Sequence, residues 1–193
     1  MTHKSIWLGI VLGIIVTLTG VYVYYRHETP TFRGQALNAP IPAPEITMTD
    51  DEGQPFHLSE LRGKVVLLFF GYVNCPDECP LTMAHFKEAL DMLGDSSKAI
   101  QVVMVSTDPV GDTPQAMKDF LGHFNPDFIG IPGTDSQLKK IWEEYGVTVL
   151  EGGETHSSYT YVIDRKGDQR LLFNPDSSPE DIASDLNILL NEN

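Results

Sequence analysis

KVVLLFFGYVNCPDECPL, residues 64 to 81, passes from a continuous apolar run into a loop that holds both cysteines of the chain, Cys75 and Cys79. Lys64 to Phe70 has no polar alternation, which predicts a strand buried on both faces. From Leu81 to Leu93 the apolar residues Leu81, Ala84, Phe86, Leu90 and Leu93 recur at helical spacing, and Gly94 follows as a C-cap residue. Strand, cysteine loop and helix therefore follow one another without a gap.

The same signals extend outward in both directions. Upstream, Glu45–Met48 and Gln54–Leu58 flank Asp50-Asp51-Glu52-Gly53 and predict a hairpin. Downstream, Ile100–Ser106 predicts a second buried strand. Thr113-Pro114 then opens a helix through Phe124, with Thr113 as N-cap. A short strand over Phe128–Ile131, a helix over Ser136–Tyr145, a hairpin of Ser158–Asp164 with Gln169–Phe173, and a last helix capped by Ser178 complete the chain. Strands alternating with helices imply an α/β fold with a mixed sheet covered on both faces. A cysteine pair after the first central strand and before a helix is the thioredoxin arrangement. The folded domain is expected over residues 43–193, with the first hairpin as an N-terminal addition.

Before it, Arg26 to Pro44 contains Pro30, Pro40, Pro42 and Pro44 and has no periodicity, so residues 26–42 are expected to form an extended linker. Ile6 to Tyr25 is a 20-residue run without a charged side chain. As a helix rising about 1.5 Å per residue it spans roughly 30 Å, a bilayer core. Trp7 lies at one end and Tyr22, Tyr24 and Tyr25 at the other, where interfacial aromatics belong. The run is longer than a signal-peptide core, no A-x-A site follows closely, and no cysteine follows for lipid attachment. An uncleaved transmembrane anchor over 6–25, after a short tail over 1–5, is the expectation. Lys4 on one flank and Arg26 and Arg33 on the other leave its orientation open.

From Gly34 onward 26 acidic side chains face 10 basic ones, which argues against nucleic-acid binding. Two cysteines within five residues cannot staple a domain of this size, so they form a local site. The thiolate is both nucleophile and metal ligand, and a helix N-terminus favours it. Cys79 is expected as N-cap of the following helix, with Pro80 at its first position. Separation by about one turn permits either a redox-active disulfide between Cys75 and Cys79 or two ligands on one ion. Two soft thiolates suit Cu(I), and an imidazole would admit Cu(II) as well. Zinc is compatible with the same donors. His156, just before the strand entered at Tyr159, is the candidate imidazole. In a thioredoxin-like fold the loop entering that strand lies beside the cysteine loop. His3 and His27 flank the apolar run, His57 sits in the first hairpin, and His85 and His123 lie on helices as surface or packing residues. Met83 is expected to pack rather than ligate.

At these residues the chain resembles the Sco (SenC) family of copper proteins that assist cytochrome c oxidase assembly. The matching pieces are FGYVNCPDECP (Phe70–Pro80), VSTDPVGDTPQ (Val105–Gln115) and THSSYTYVIDRKG (Thr155–Gly167). The resemblance implies a thioredoxin fold and a Cys75/Cys79/His156 copper site. It implies delivery of copper, or reduction of cysteines, at the dinuclear copper centre of oxidase subunit II. It also implies exchange with another periplasmic copper chaperone or a thiol reductant, and a domain on the periplasmic side of a bacterial cytoplasmic membrane. The short tail before the anchor fits a bacterial protein, since it leaves no room for a transit peptide. Thr155 stands where the family often has Asp, and Gly111 where it usually has a basic residue.

Two other classes compete. A thiol-disulfide oxidoreductase of this fold places a cis-proline where this chain has Ser157-Ser158, and it uses two intervening residues rather than three. A peroxidase would need a Thr-x-x-Cys setting, which Val73-Asn74-Cys75 does not supply. A metallochaperone rather than an enzyme is the expectation, with a copper or redox sensor as a further use of the same residues.

Overall fold

In the computed structural model, residues 3–26, 31–150 and 159–192 are described. They form two units, Met1–Thr31 and Phe32–Asn193.

In the larger unit the strand β4 (Val65–Gly71) is buried at every position. It lies between β5 (Ile100–Ser106), which runs parallel to it, and β7 (Thr160–Ile163), which runs antiparallel. A strand with partners on both edges and layers on both faces offers no position to water, hence the unbroken apolar run. Successive side chains point to opposite faces. Val65, Leu67 and Phe69 join one core with Cys79, Met83 and Phe86 of α2 (Glu78–Leu93), Met117 of α3 (Pro114–Gly122) and Leu186 of α5 (Pro179–Asn191). Val66, Leu68 and Phe70 join the other core with Leu138 and Trp142 of α4 (Asp135–Tyr145) and with Phe56 of the hairpin β2 (Thr47–Thr49) and β3 (Pro55–His57). Each fully buried Phe or Leu contributes about 1.5–3 kcal/mol.

With β1 (Gln35–Pro42), β6 (Ile129–Ile131) and β8 (Asp168–Phe173), the sheet order is β1-β8-β7-β4-β5-β6. The helix starts follow local chemistry. Thr113 accepts the Ala116 N–H at 3.2 Å, Ser178 accepts the Asp181 N–H at 3.1 Å, and each is followed by a proline. Gly146, at φ +67, closes α4 in the left-handed conformation.

One boundary is corrected. The stretch read as a linker to residue 42 is, from Gln35 to Pro42, an edge strand antiparallel to β8. Pro40 and Pro42 have no N–H to donate, which confines this segment to an edge, and the register shifts between Ala36 and Ile41. Its entry is latched. The Asp185 carboxylate, fully buried, accepts the N–H of Arg33 at 2.9 and 3.0 Å and that of Gly34 at 2.8 Å. Gly34 fits closely there: a Cβ would stand 2.7 Å from Leu171 Cδ1, 2.9 Å from Phe173 Cδ1 and 3.0 Å from the Leu172 carbonyl.

In the smaller unit α1 (His3–Arg26) is helical over 24 residues. Its described side chains are Trp7 and residues 10–20. The large apolar ones among them face outward, and Thr17 and Thr19 turn their hydroxyls onto the Gly13 and Ile15 carbonyls at 2.7 Å. Among the described residues no helix is long and apolar enough to cross a membrane.

Candidate metal centre

β4 ends at Gly71, and Thr107 donates its N–H to the Gly71 carbonyl at 2.9 Å. The chain then turns through Tyr72-Val73-Asn74, and the Cys75 N–H closes the turn on the Tyr72 carbonyl at 3.3 Å. The helix α2 starts at Glu78, after Asp77 as N-cap, which corrects the expectation that Cys79 caps it. Pro80 is then the third helical residue. Its missing N–H costs nothing there, because the first turn has no intrahelical acceptor for it.

The shift by two residues exchanges the roles of the cysteines. The Cys79 N–H points at the Cys75 sulfur, 3.4 Å away. Cys75 is therefore the sulfur at the helix N-terminus. It is half-buried and reachable. Cys79 lies inside the first turn and is buried. Burial pushes its thiol well above the ordinary range, a Tyr72 N–H pulls the other way, and the hydrogen bond and charge of Cys75 add to the rise. Both cysteines are free thiols and their sulfurs are neighbours, Cys75 half-buried and Cys79 buried.

Gly71 makes this approach possible. A Cβ at that position would lie 2.8 Å from the Cys79 sulfur and 2.5 Å from Phe69 Cε1. Its need was not visible beforehand, since a glycine after a buried strand reads only as the end of the strand. A second wall is the connection from β5 to α3. Asp108 accepts the Val110 and Gly111 N–H groups at 3.2 and 3.0 Å and rounds that loop. A Cβ at Gly111 would stand 3.3 Å from Asn74 Nδ2, so the loop lies against the neighbour of Cys75.

His156, Thr155 and the Ser157-Ser158 pair lie outside the described residues. What is described is the strand they lead into. Thr160 is the register partner of Phe69, so β7 enters the sheet at the end where β4 leaves it for the cysteine loop. The other described histidines stand apart from the sulfurs. His57 Nδ1 meets Thr47 Oγ1 at 3.3 Å, His85 Nδ1 meets the Ser177 carbonyl at 3.0 Å, and His123 Nδ1 meets the Asp119 carbonyl at 2.5 Å. Met83 is fully buried in the core, as expected of a packing residue. Among the described residues no three His, Cys, Asp or Glu side chains are grouped to hold a metal ion, and the cysteine pair offers two sulfur donors. Soft sulfur donors in a pair fit copper in its reduced state.

A wide concavity at the opposite end of the sheet, around the starts of β4 and β5, has its central polar groups already paired. Lys64 Nζ donates to Gln101 Oε1 at 3.2 Å, and Gln101 Nε2 donates to the Asp127 carbonyl at 2.6 Å. The cysteine pair lies instead beyond the carboxyl ends of β4 and β5, where open α/β sheets place their ligands.

Comparison with known proteins agrees with this geometry. The SCO1/SenC family model matches residues 36–191. A SCO2-like protein of Rickettsia felis is 31% identical over 197 residues, covering 94% of this chain and 96% of that one. Among solved structures, apo Sco1 from Thermus thermophilus superposes with a TM-score of 0.73 at 32% identity, covering 84% of this chain and 99% of its own. ScoI of Bradyrhizobium japonicum, solved with copper bound, gives 0.67 at 31% identity, covering 77% and 99%. With its thioredoxin-like α/β fold and a match that takes in the sheet, both cysteines and the last helix, the chain belongs to the SCO1/SenC family.

Proposed function

We propose that this protein is a copper metallochaperone, holding one copper ion through Cys75, Cys79 and His156 for the dinuclear copper centre of cytochrome c oxidase subunit II. The observation that carries the reading is the sulfur pair itself. Cys75 stands at the N-terminus of α2 and faces the buried Cys79, an arrangement that binds a soft cation with one open side. His156 is four residues before Thr160, the partner of Phe69 at the site's end of the sheet. The copper-bound relative from Bradyrhizobium japonicum supports the choice of metal. The sulfurs suit Cu(I), and the imidazole admits Cu(II). Residues 6–25 anchor the chain in a bacterial cytoplasmic membrane, and the acidic domain works on the periplasmic side. The outward apolar side chains of α1 and the inward-turned Thr17 and Thr19 hydroxyls suit a lipid setting.

The test is copper titration of the reduced full-length protein and its His156→Ala variant. One equivalent of copper, with intense thiolate-to-Cu(II) absorption lost or shifted in the variant, is expected. Unchanged Cu(II) spectra and affinity in His156→Ala would sink the three-ligand site.

The unequal exposure of the cysteines favours one second reading, a thiol-disulfide reductase for that centre. The Cys75 thiolate attacks a disulfide of the partner and forms a mixed disulfide. Cys79 then displaces the partner's sulfur, leaving a reduced dithiol there and a Cys75–Cys79 disulfide here. A periplasmic thiol reductant restores the starting pair. Mixing copper-loaded protein with the metal-free oxidase fragment under anaerobic conditions separates the two: movement of copper marks the chaperone, while a change in thiols alone marks the reductase.

A further inference from the structure

We propose that Asp112 is a positioning residue of the cysteine site: its buried carboxylate holds the Val73 N–H, two residues before Cys75, and so sets where the Cys75 sulfur stands against the N-terminus of α2. The proposal rests on the reading of Cys75 and Cys79 as metal ligands.

Asp112 is only 3% exposed. Its Oδ1 accepts the Val73 N–H at 2.9 Å, and its Oδ2 accepts the Ser106 hydroxyl at 2.6 Å. Its own N–H donates to the Asp108 carbonyl at 3.0 Å. Ser106 is the last residue of β5, the register partner of Gly71, and is itself fully buried. It is held from three directions. Its hydroxyl oxygen accepts the Asp108 N–H at 3.1 Å, its carbonyl accepts the Trp142 indole N–H of α4 at 3.0 Å, and its hydroxyl proton goes to Asp112. Asp112 is thus fixed at both oxygens and at its backbone, and its one outward commitment is the cysteine loop.

That commitment helps to fix the course of the loop. Among the described residues the backbone from Gly71 to Cys75 is tied at the Gly71 carbonyl by Thr107, at the Tyr72 N–H by the Cys79 sulfur, at the Val73 N–H by Asp112, and at the Cys75 N–H by its own turn. The ties to Thr107 and Asp112 both come from the β5–α3 connection. Removing the carboxylate leaves a partly buried N–H without an acceptor and lets residues 72–75 move relative to α2. The helix N-terminus, which points the Cys79 N–H at the Cys75 sulfur, stays where it is. The sulfur then loses its aim, and metal affinity falls, while the cores on either side of the sheet are untouched. Burial opposes charge on Asp112, and the Ser106 and Val73 hydrogen bonds counter it. A carboxylate kept at such a place serves geometry, because charge-assisted bonds at both oxygens fix direction better than neutral ones.

The test uses the reduced full-length protein as wild type, Asp112→Ala, Asp112→Asn and Ser106→Ala. Amide hydrogen exchange over residues 72–75 is measured without metal, Cu(I) affinity by competition with a chromophoric chelator, and stability by urea. Asp112→Ala is expected to speed exchange at Val73 and to weaken Cu(I) about ten- to a hundredfold, the usual cost of losing a group that orients a ligand. Asp112→Asn keeps one acceptor oxygen for the Val73 N–H and should recover most of both. A merely structural aspartate would lower the urea midpoint in each variant and leave exchange at Val73 and Cu(I) affinity of the folded protein as in wild type. Unchanged exchange at Val73 in Asp112→Ala overturns the hold on the loop, whatever the metal does. Faster exchange with unchanged Cu(I) affinity overturns its role at the site. Should Asp112→Ala not fold, Ser106→Ala, which frees Oδ2, decides on the same two readings, and wild-type values for both overturn the proposal. Wild-type protein that takes up no copper through its cysteines would refute the ligand reading instead, with the exchange result standing on its own.

Discussion

Gly71 shows how much a site can depend on an atom that is missing. The Cys79 sulfur occupies the place where a side chain at 71 would start, 2.8 Å from an ideal Cβ, with Phe69 closer still. Gly71→Ala must therefore push the sulfur or the Phe69 ring aside. Overpacking of this kind costs about 1–3 kcal/mol. We expect the variant to fold with a lowered urea midpoint and to bind Cu(I) more weakly than wild type, because Cys79 cannot back away into a full core. Copper titration beside urea unfolding checks this, and wild-type affinity would show that the sulfur has room to spare. At this scale the sequence was legible where residue type carries chemistry. That Cys75 and Cys79 stand together, and that Met83 packs, could be read from type and spacing. It was illegible where a residue acts on the backbone. Asp112 accepts an N–H 39 positions earlier in the chain, and no local pattern announces such a bond. Pro80 marked the first turn of α2 correctly but not its position within the turn, since any of the first helical residues tolerates a missing donor.

Among elements, those with periodic or uniformly buried side chains were readable. The prediction of Ile100–Ser106 coincides with β5, and β4 differs from its expected bounds by one residue at each end. β1 was missed because an edge strand pairs through its backbone and leaves most of its side chains in water, so neither alternation nor an apolar run survives. What holds β1 at its start is Asp185 on α5, and this latch responds to pH with a definite sign. Burial raises the Asp185 carboxyl above its ordinary value, against the pull of the Gly34 and Arg33 N–H groups. The folded state therefore keeps the proton to higher pH than the unfolded chain. Its contribution is fully present below the unfolded value and is lost as pH rises through the raised one. Asp185→Asn cannot titrate there. Urea unfolding of both proteins from pH 4 to pH 7 should show the wild-type advantage narrowing as pH increases. An advantage that widens instead would mean that the backbone N–H groups outweigh burial.

For the whole molecule the two units pose a question of sides that the fold of neither answers. The apolar run over 6–25 and the acidic domain were both legible in composition, but charge on the flanks of the run is balanced, so orientation entered through the family resemblance. The unequal cysteines supply a direct reporter. Cys75 is reachable from solvent and Cys79 is buried, so a bulky thiol reagent should modify the first and spare the second. In intact spheroplasts carrying the full-length protein, a membrane-impermeant maleimide is expected to label Cys75 at the rate seen after detergent lysis. The labelled chain should stay with the membranes through an alkaline carbonate wash. Labelling that appears only after lysis would place the domain in the cytoplasm, and with it the site away from an extracytoplasmic copper centre. Release by carbonate would refute the anchor while leaving the site's own chemistry intact. Full occupancy of Cys75 by copper should protect it, so metal-loaded spheroplasts, labelled slowly and then rapidly once a copper chelator is added, would tie the side of the membrane and the identity of the ligand to the same sulfur.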